Sequence, residues 1–579
     1  MSLYRQFFDH KELLLRKVIS QEKDYDPLVH MLLRPLHTPG YHTTLTSDVY
    51  PLVHPTHPSL LYAASLLNTE SPEYVQRACD IIQCVLTLQD RDPDRDTYGI
   101  WPWFYEEPLT QMAPPDWNWA DFCGKELVLA ALLHGHRLPE ELREDIRQGI
   151  SCACDAIMKR DMGPHYTNIS IMGSFVTLIA GELYGKQDYV DYALQRLEKL
   201  KQYTERLRTF QEFNSPHYSV IAIVELSKIY TYSMNPRARE IANDLLDIGW
   251  HMVAEHYHPT SQQWAGPHSR SYSTLLSNKI KSFLQIATDN RLFFFSDDDL
   301  EYDAEWYGSG CRCPEAYLNL FMSEESRVLE QPYYRNEDTG FVKWAKTRMT
   351  PQYTIGIFKH EIMWNQTRGL VAYFENHGAA TYLQMRCLHD GYDYCSGVLS
   401  VAEEEGHLLL GVRFLTNGGD THPGLDRIEG CIEASDFRLR MEFGGCLAGV
   451  RIATEGAKAE VEINGLPLRV DNVYAAFDEL LAIDCGEQRD WNWEVTELEQ
   501  RIGLDFVIYT GERRTLDFHA LNRAAFLFSL AIGEVVETMP DISVIEEAGH
   551  VTARVVTSHW NRLPLELSIA VKPNDIHPV

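Results

Sequence analysis

Between about residue 58 and residue 290 apolar residues recur three and four positions apart, whereas past about residue 335 they recur at every second position. The first period belongs to amphipathic helices and the second to half-buried strands. Helices are expected over "SPEYVQRACDIIQCVLTLQD", "ADFCGKELVLAALLHG", "PEELREDIRQGISCACDAIMKR", "NISIMGSFVTLIAGELYG", "QDYVDYALQRLEKLKQYTERL", "QEFNSPHYSVIAIVEL", "NPRAREIANDLLDIGWHMVAEHY" and "SYSTLLSNKIKSFLQIAT". Glycines and prolines separate them, and no residue-level repeat links them. Short β-branched and aromatic segments follow, among them "YTIGIFKH", "GLVAYFEN", "ATYLQMRC", "GHLLLGVRFLT", "DFRLRMEF" and "HVTARVVTSHW", bounded by Gly, Asn and Asp. The expected fold is α+β and multidomain: an (α/α) toroid of helical hairpins over residues 1–330, followed by an antiparallel β-sandwich over residues 331–579.

A chain of 579 residues exceeds one ordinary core, and its 45% hydrophobic and 23% charged fractions are those of a globular protein. The net charge of −31 carries no long basic run, which argues against nucleic acid and against an anionic membrane surface. It leaves room for an anionic substrate held by a few local cations. No stretch reaches eighteen apolar residues, so no membrane span is expected. "MSLYRQFFDHKELLLRK" has no signal-peptide core. Cytoplasmic placement follows, unless the "MSL" opening replaces a removed leader. Twelve scattered cysteines, with C-x-C pairs at Cys152/Cys154 and Cys311/Cys313, read as free thiols in a reducing compartment.

Candidate chemistry gathers at helix heads. His217 and Tyr218 open a strongly apolar helix after Asn214, Ser215 and Pro216, which suit a cap and a first helical position. Asn168 opens another helix, and His268, Arg270 and Tyr272 precede a third. The spacing from Asn168 to Tyr218, and from Tyr218 to His268, is fifty residues. In a toroid of hairpins that spacing places all of them on one rim. An amide, an imidazole, a phenol and a guanidinium around one cleft suit β-elimination at a uronic acid. Asn168 would bond the substrate carboxylate, Tyr218 or His217 would take the C5 proton, and Tyr218 would protonate the leaving oxygen.

The loop "WPWFYEEPLTQMAPPDWNWADF" adds Trp101, Trp103, Tyr105, Trp117 and Trp119, flat rings of the kind on which sugars stack. Carboxylates also lie nearby: Glu106, Glu107, Asp116, Asp121 and Glu212. A glycoside hydrolase using two of them is the alternative enzyme, and a non-catalytic carbohydrate-binding protein is the third reading. No H-E-x-x-H, G-x-S-x-G or phosphate loop is present.

On these residues the chain resembles the heparinase II/III-like polysaccharide lyases. "YTNIS" and "NSPHYS" are similar to that family's Asn or His and its Tyr on successive toroid helices, and "MWNQTRGLVAYFENHGAATYLQMRCLHDGYDYCSGVLSV" is similar to its β-domain strands. The resemblance implies a toroid with a β domain, a lyase acting on an acidic polysaccharide or oligosaccharide such as a glycosaminoglycan, and a third catalytic ring from the β domain. Where the family often has His-x-His, this chain reads His389, Asp390, Gly391, Tyr392, Asp393, Tyr394. The third residue is then expected at His389 or at Tyr392 or Tyr394. The same departure puts a β-domain divalent metal in doubt, with His360, His377, His389 and Asp390 as its only candidates, so no cofactor is expected.

Overall fold

The computed structural model describes residues 8–38, 41–336, 338–478, 490–538, 541–555 and 565–575. The "MSL" opening therefore lies outside the described residues, as do the last five residues of "HVTARVVTSHW". The chain divides into two compact units. One comprises residues 1–212, 218–251 and 277–318, the other residues 213–217, 252–276 and 319–579. A single boundary near residue 330 was expected, but the chain passes between the units five times, at 212/213, 217/218, 251/252, 276/277 and 318/319.

The first unit is built from helices α1 (His10–Gln21), α2 (Thr56–Asn68), α3 (Val75–Leu86), α4 (Trp119–His134), α5 (Glu140–Arg160), α6 (Thr167–Tyr184), α7 (Gln187–Leu207), α8 (Tyr218–Tyr232), most of α9 (Pro236–His256), and α10 (Asn278–Ala287). Helices α2 and α3, α4 and α5, and α6 and α7 pack as hairpins, while α2, α4, α6 and α8 pack in succession. Helix α6 is buried from Thr167 to Gly181, as a helix covered on all sides must be. Helices α3 and α7 bury one stripe each. The turn from α6 to α7 is made by Gly185 at φ 66°, a left-handed position that glycine adopts without a Cβ clash.

One helix is shorter than its sequence suggested. "SYSTLLSNKIKSFLQIAT" forms α10 only from Asn278, capped by Ser277. His268, Arg270 and Tyr272 thus sit in an irregular loop rather than at a helix head. Among the described residues no helix is long and apolar enough to cross a membrane.

In the second unit the described strands form a nine-stranded and a seven-stranded antiparallel sheet. Their facing sides share one core, which includes Ile355, Leu383, Phe443 and Phe506 from one sheet and Leu410, Val470, Phe526 and Phe528 from the other. This is the antiparallel sandwich the alternation implies. A three-stranded sheet packs a second apolar layer against Leu409, Ala525 and Leu527. The strand Ala524–Ile532 is therefore buried at all nine positions. It shows no alternation because both of its faces meet apolar layers.

The loop 265–276 is pinned to this sandwich. A Cβ on Gly356 would stand 1.9 Å from the carbonyl carbon of Gly266, so only glycine permits that approach. His268 and Arg368 exchange backbone hydrogen bonds at 3.2 and 2.9 Å.

Candidate functional site

In the first unit the N-terminal ends of α2, α4 and α6 form one row, which the loop before α8 joins. His57, the second residue of α2, meets the rings of Trp119 and Phe122 in the first turn of α4, with centroids 6.3 and 5.2 Å apart. Asn118, just before α4, donates to Tyr166 Oη, just before α6, at 3.3 Å. Glu212, in the loop leading to Tyr218, accepts the backbone N–H of Asn168 at 2.9 Å. The loop that leads to α8 thus reaches the head of α6.

This row is rich in buried polar atoms that make no hydrogen bond with the described residues: Trp119 Nε1, Asp121 Oδ1, Thr167 Oγ1, Asn168 Oδ1, Ser170 Oγ and Ser219 Oγ. Each such atom costs on the order of 1–3 kcal/mol relative to a satisfied one. Their concentration at the ends of three neighbouring helices gathers polar groups that a ligand or ordered water would complete. The N-cap of α6 is Tyr166, with no side-chain capping bond. Asn168 is therefore not a cap; it is 1% exposed and its carboxamide oxygen has no partner.

Asp121 shares this neighbourhood. Burial pushes its carboxyl up to about 7, with Arg196 and Arg160 acting in the opposite direction. Gly173 of α6 opens the space: a Cβ there would lie 2.5 Å from both Asp121 Oδ1 and Arg196 Nη1.

The aromatic loop divides. Trp103 and Trp119 stack obliquely at 5.2 Å beside the row, and Tyr105 is 47% exposed. Trp117 is partly exposed and donates its indole N–H to Asp96 O. Trp101 is fully buried, with its N–H given to Val85 O, so it is a core residue and offers no face to a sugar. Of the paired carboxylates, Glu107 is bound by Thr43 and Thr44, and Glu106 by His54.

One more cluster in this unit has metal-ligand character. His57 Nε2, Glu126 and Glu305 place ligand atoms within 4.8 Å of one another. Lys125 Nζ already lies 2.7 Å from both oxygens of Glu305, and Lys228 Nζ bridges Glu305 and Glu225 at 2.9 and 2.8 Å. Three carboxylates face two ammonium groups and one imidazole, so a protonated His57 neutralises the set. Burial opposes that charge, but the carboxylates of Glu126 and Glu305, 3.7 and 3.6 Å from Nε2, prevail and raise His57 above its ordinary value.

The remaining candidates lie in the second unit. Asn214, at φ 49°, does not cap α8. Its carboxamide donates to Ala265 O and Pro267 O and accepts from the Trp264 indole. His268 is buried with both ring nitrogens engaged, by Asn214 O and Tyr373 Oη, and burial pulls it down to about 3. It is a neutral structural ring, not a substrate contact. Arg270 gives Nε and Nη2 to Gln366 Oε1 at 3.1 and 2.9 Å and lies over the Trp364 ring. Tyr272 is 57% exposed and meets His217 edge to face at 5.2 Å.

His389 is bonded by Asp420 at 2.9 Å and Glu433 O at 3.1 Å. Burial lowers its affinity for a proton, yet Asp420 wins and raises it. Both of its ring nitrogens are thus engaged. Tyr392 is exposed and accepts from Asn365 Nδ2, while Tyr394 is fully buried in the sandwich core. His360 is bonded to Ser400; among the described residues the β unit holds no three-residue metal-ligand group.

Residues 37–287 match the model of a domain of unknown function, DUF8769. No curated protein sequence matches the chain. Among solved structures it is similar to heparinase III (11% identity, TM-score 0.44, covering 89% of this chain and 82% of that one). It is also similar to the Streptomyces coelicolor chondroitin AC lyase (9%, TM-score 0.46, 96% and 86%). A third is a Paenibacillus xanthan lyase (8%, TM-score 0.44, 94% and 59%).

Proposed function

We propose that the protein is a lyase that cleaves an acidic, uronic-acid-containing polysaccharide or oligosaccharide by β-elimination. The observation that carries this reading is the row of unpartnered buried polar atoms at the heads of α4, α6 and α8, with the Asn168 carboxamide among them. The Asn168 carboxamide gives its Nδ2 amino group to the substrate carboxylate, since an ionised carboxylate only accepts, and withdrawing charge from it acidifies the neighbouring C5–H. Magnitudes assign the proton transfers. A phenol with a reference pKa of about 10 loses roughly 4 kcal/mol as a base near pH 7, while a helix N-terminus returns about 0.3–2 kcal/mol. Tyr218 therefore serves as the acid and gives its proton to the departing glycosidic oxygen. The His217 imidazole takes the C5 proton, since an imidazole is largely in its basic form at that pH. The Trp103 and Trp119 rings supply stacking faces beside them.

Asp121 favours a second reading, hydrolysis, because a carboxyl raised to about 7 holds a proton near neutral pH. Elimination makes a 4,5-unsaturated uronate that absorbs near 230 nm, whereas hydrolysis makes reducing ends without that absorbance. A panel of uronic-acid polymers and oligomers is therefore assayed with wild type, Tyr218→Phe and Asp121→Asn. Absorbance that disappears in Tyr218→Phe supports the lyase; full activity in that variant removes the proposed acid.

A further inference from the structure

The second unit carries a pocket of about 250 Å³ between the loop 272–274, the segment 362–369 and the strands Ala379–His389 and Cys431–Gly445. This is just below the roughly 300–1,000 Å³ of drug-sized sites and suits a single sugar residue. Three guanidinium groups line it, Arg368, Arg386 and Arg501, against two carboxylates, Asp393 and Glu442. One positive charge is in excess.

The carboxylates are already spoken for. Asp393 accepts Nε and Nη2 of Arg386, both at 2.8 Å. Glu442 accepts Nη1 of Arg386 at 2.7 Å and Nη1 of Arg501 at 3.3 Å, and its other oxygen takes Tyr382 and Gln384. Arg368 is left with neutral partners. Its Nε donates to Thr274 Oγ1 at 3.2 Å and its Nη1 to Asn365 O at 2.6 Å. Among the described residues no hydrogen bond engages its Nη2 and no carboxylate pairs with it. Arg368 is half-buried, and a partly desolvated guanidinium on neutral groups gains when an anion completes it. The planar fork fits a carboxylate or sulfate. Beside it stands the exposed ring of Tyr272, whose edge contact with His217 ties the pocket wall to the proposed base.

We propose that this pocket binds the carboxylate or sulfate of an acidic sugar, with Arg368 as the anion-binding residue and Tyr272 as the stacking face. The anion site stands on its own geometry; only the sugar carrying the anion rests on the lyase reading. Titration calorimetry of the full chain with D-glucuronate, D-glucose and inorganic sulfate tests it. Glucuronate should bind, sulfate should compete with it, and glucose should bind at least about tenfold more weakly. Arg368→Gln should weaken glucuronate and sulfate by about 10- to 100-fold, with Arg368→Lys in between. Tyr272→Ala should weaken glucuronate and spare sulfate. The proposal is overturned if wild type binds neither anion, if glucose binds as well as glucuronate, or if Arg368→Gln binds both anions like wild type. Should Arg368→Gln fail to fold, unchanged glucuronate affinity in both Arg368→Lys and Tyr272→Ala overturns it. These probes contain no scissile bond, so a negative result leaves the lyase reading intact, and full activity of Tyr218→Phe leaves the pocket intact.

Discussion

Glu212 reaches from the loop before one helix to the head of another and accepts the backbone N–H of Asn168 at 2.9 Å. A carboxylate there satisfies a first-turn donor of α6 and complements the positive end of its dipole. Glu212→Ala is expected to lower stability by about 1–2 kcal/mol in denaturant titrations. Glu212→Gln, which keeps an acceptor oxygen, should lose less. Equal losses in both variants would place the effect in the negative charge at the helix end rather than in the hydrogen bond or the side-chain volume.

Asn168 offers the opposite balance. Its carboxamide oxygen is buried without a partner, so Asn168→Ala breaks no side-chain hydrogen bond to that atom and should leave the melting temperature near wild type. Turnover read at 230 nm should fall about 100- to 1,000-fold, the scale of removing one charge-stabilising group. A large drop in melting temperature with residual turnover intact would assign the residue to packing.

Asp121 should make stability fall as pH rises. Its folded-state value of about 7 lies above the ordinary 3.8, so the unfolded chain gives up the proton first. The stabilisation from holding that proton is complete below about pH 4 and is lost between about pH 4 and 7, by up to roughly 4 kcal/mol. Denaturation midpoints of Asp121→Asn should be flatter than wild type across that window.

His57 acts over a higher range with the same sign. Its folded value is raised, so its contribution is full below about 6.5 and disappears as pH climbs through the folded value. His57→Gln should flatten the alkaline side of the stability profile. Lys125→Met, which leaves Glu225 and Glu305 to share the ammonium of Lys228, should cost about 3–5 kcal/mol.

Both periods were legible in the sequence because an unbroken stripe or alternation needs no knowledge of partners. The starts of α6 and α8 were legible too, at Thr167 and Tyr218. What escaped depends on neighbours. The strand Ala524–Ile532 hides its alternation by being covered on both sides. The segment 271–277 has helix-like residues but is held as a loop, with Ser271 N–H bonded to Gln366 O. Trp101 looks like its exposed-loop companions until Val85 claims its N–H. His268 looks like a ligand-binding ring until Asn214 and Tyr373 occupy both its nitrogens. Arg368 carries no signal at all in the sequence, because its meaning lies in which acids Arg386 and Arg501 have already taken.

The repeated passage of the chain between its two units also limits how the protein can be taken apart or reused. Residues 252–276 belong with strands that begin only after residue 319, and Gly356 is shaped to receive Gly266. A fragment starting at 319 would arrive without the strip its own sheet is moulded around. Helical and β portions are thus not interchangeable cassettes: a graft of either onto another scaffold must carry pieces of both, and recombination at a single point would break the pair.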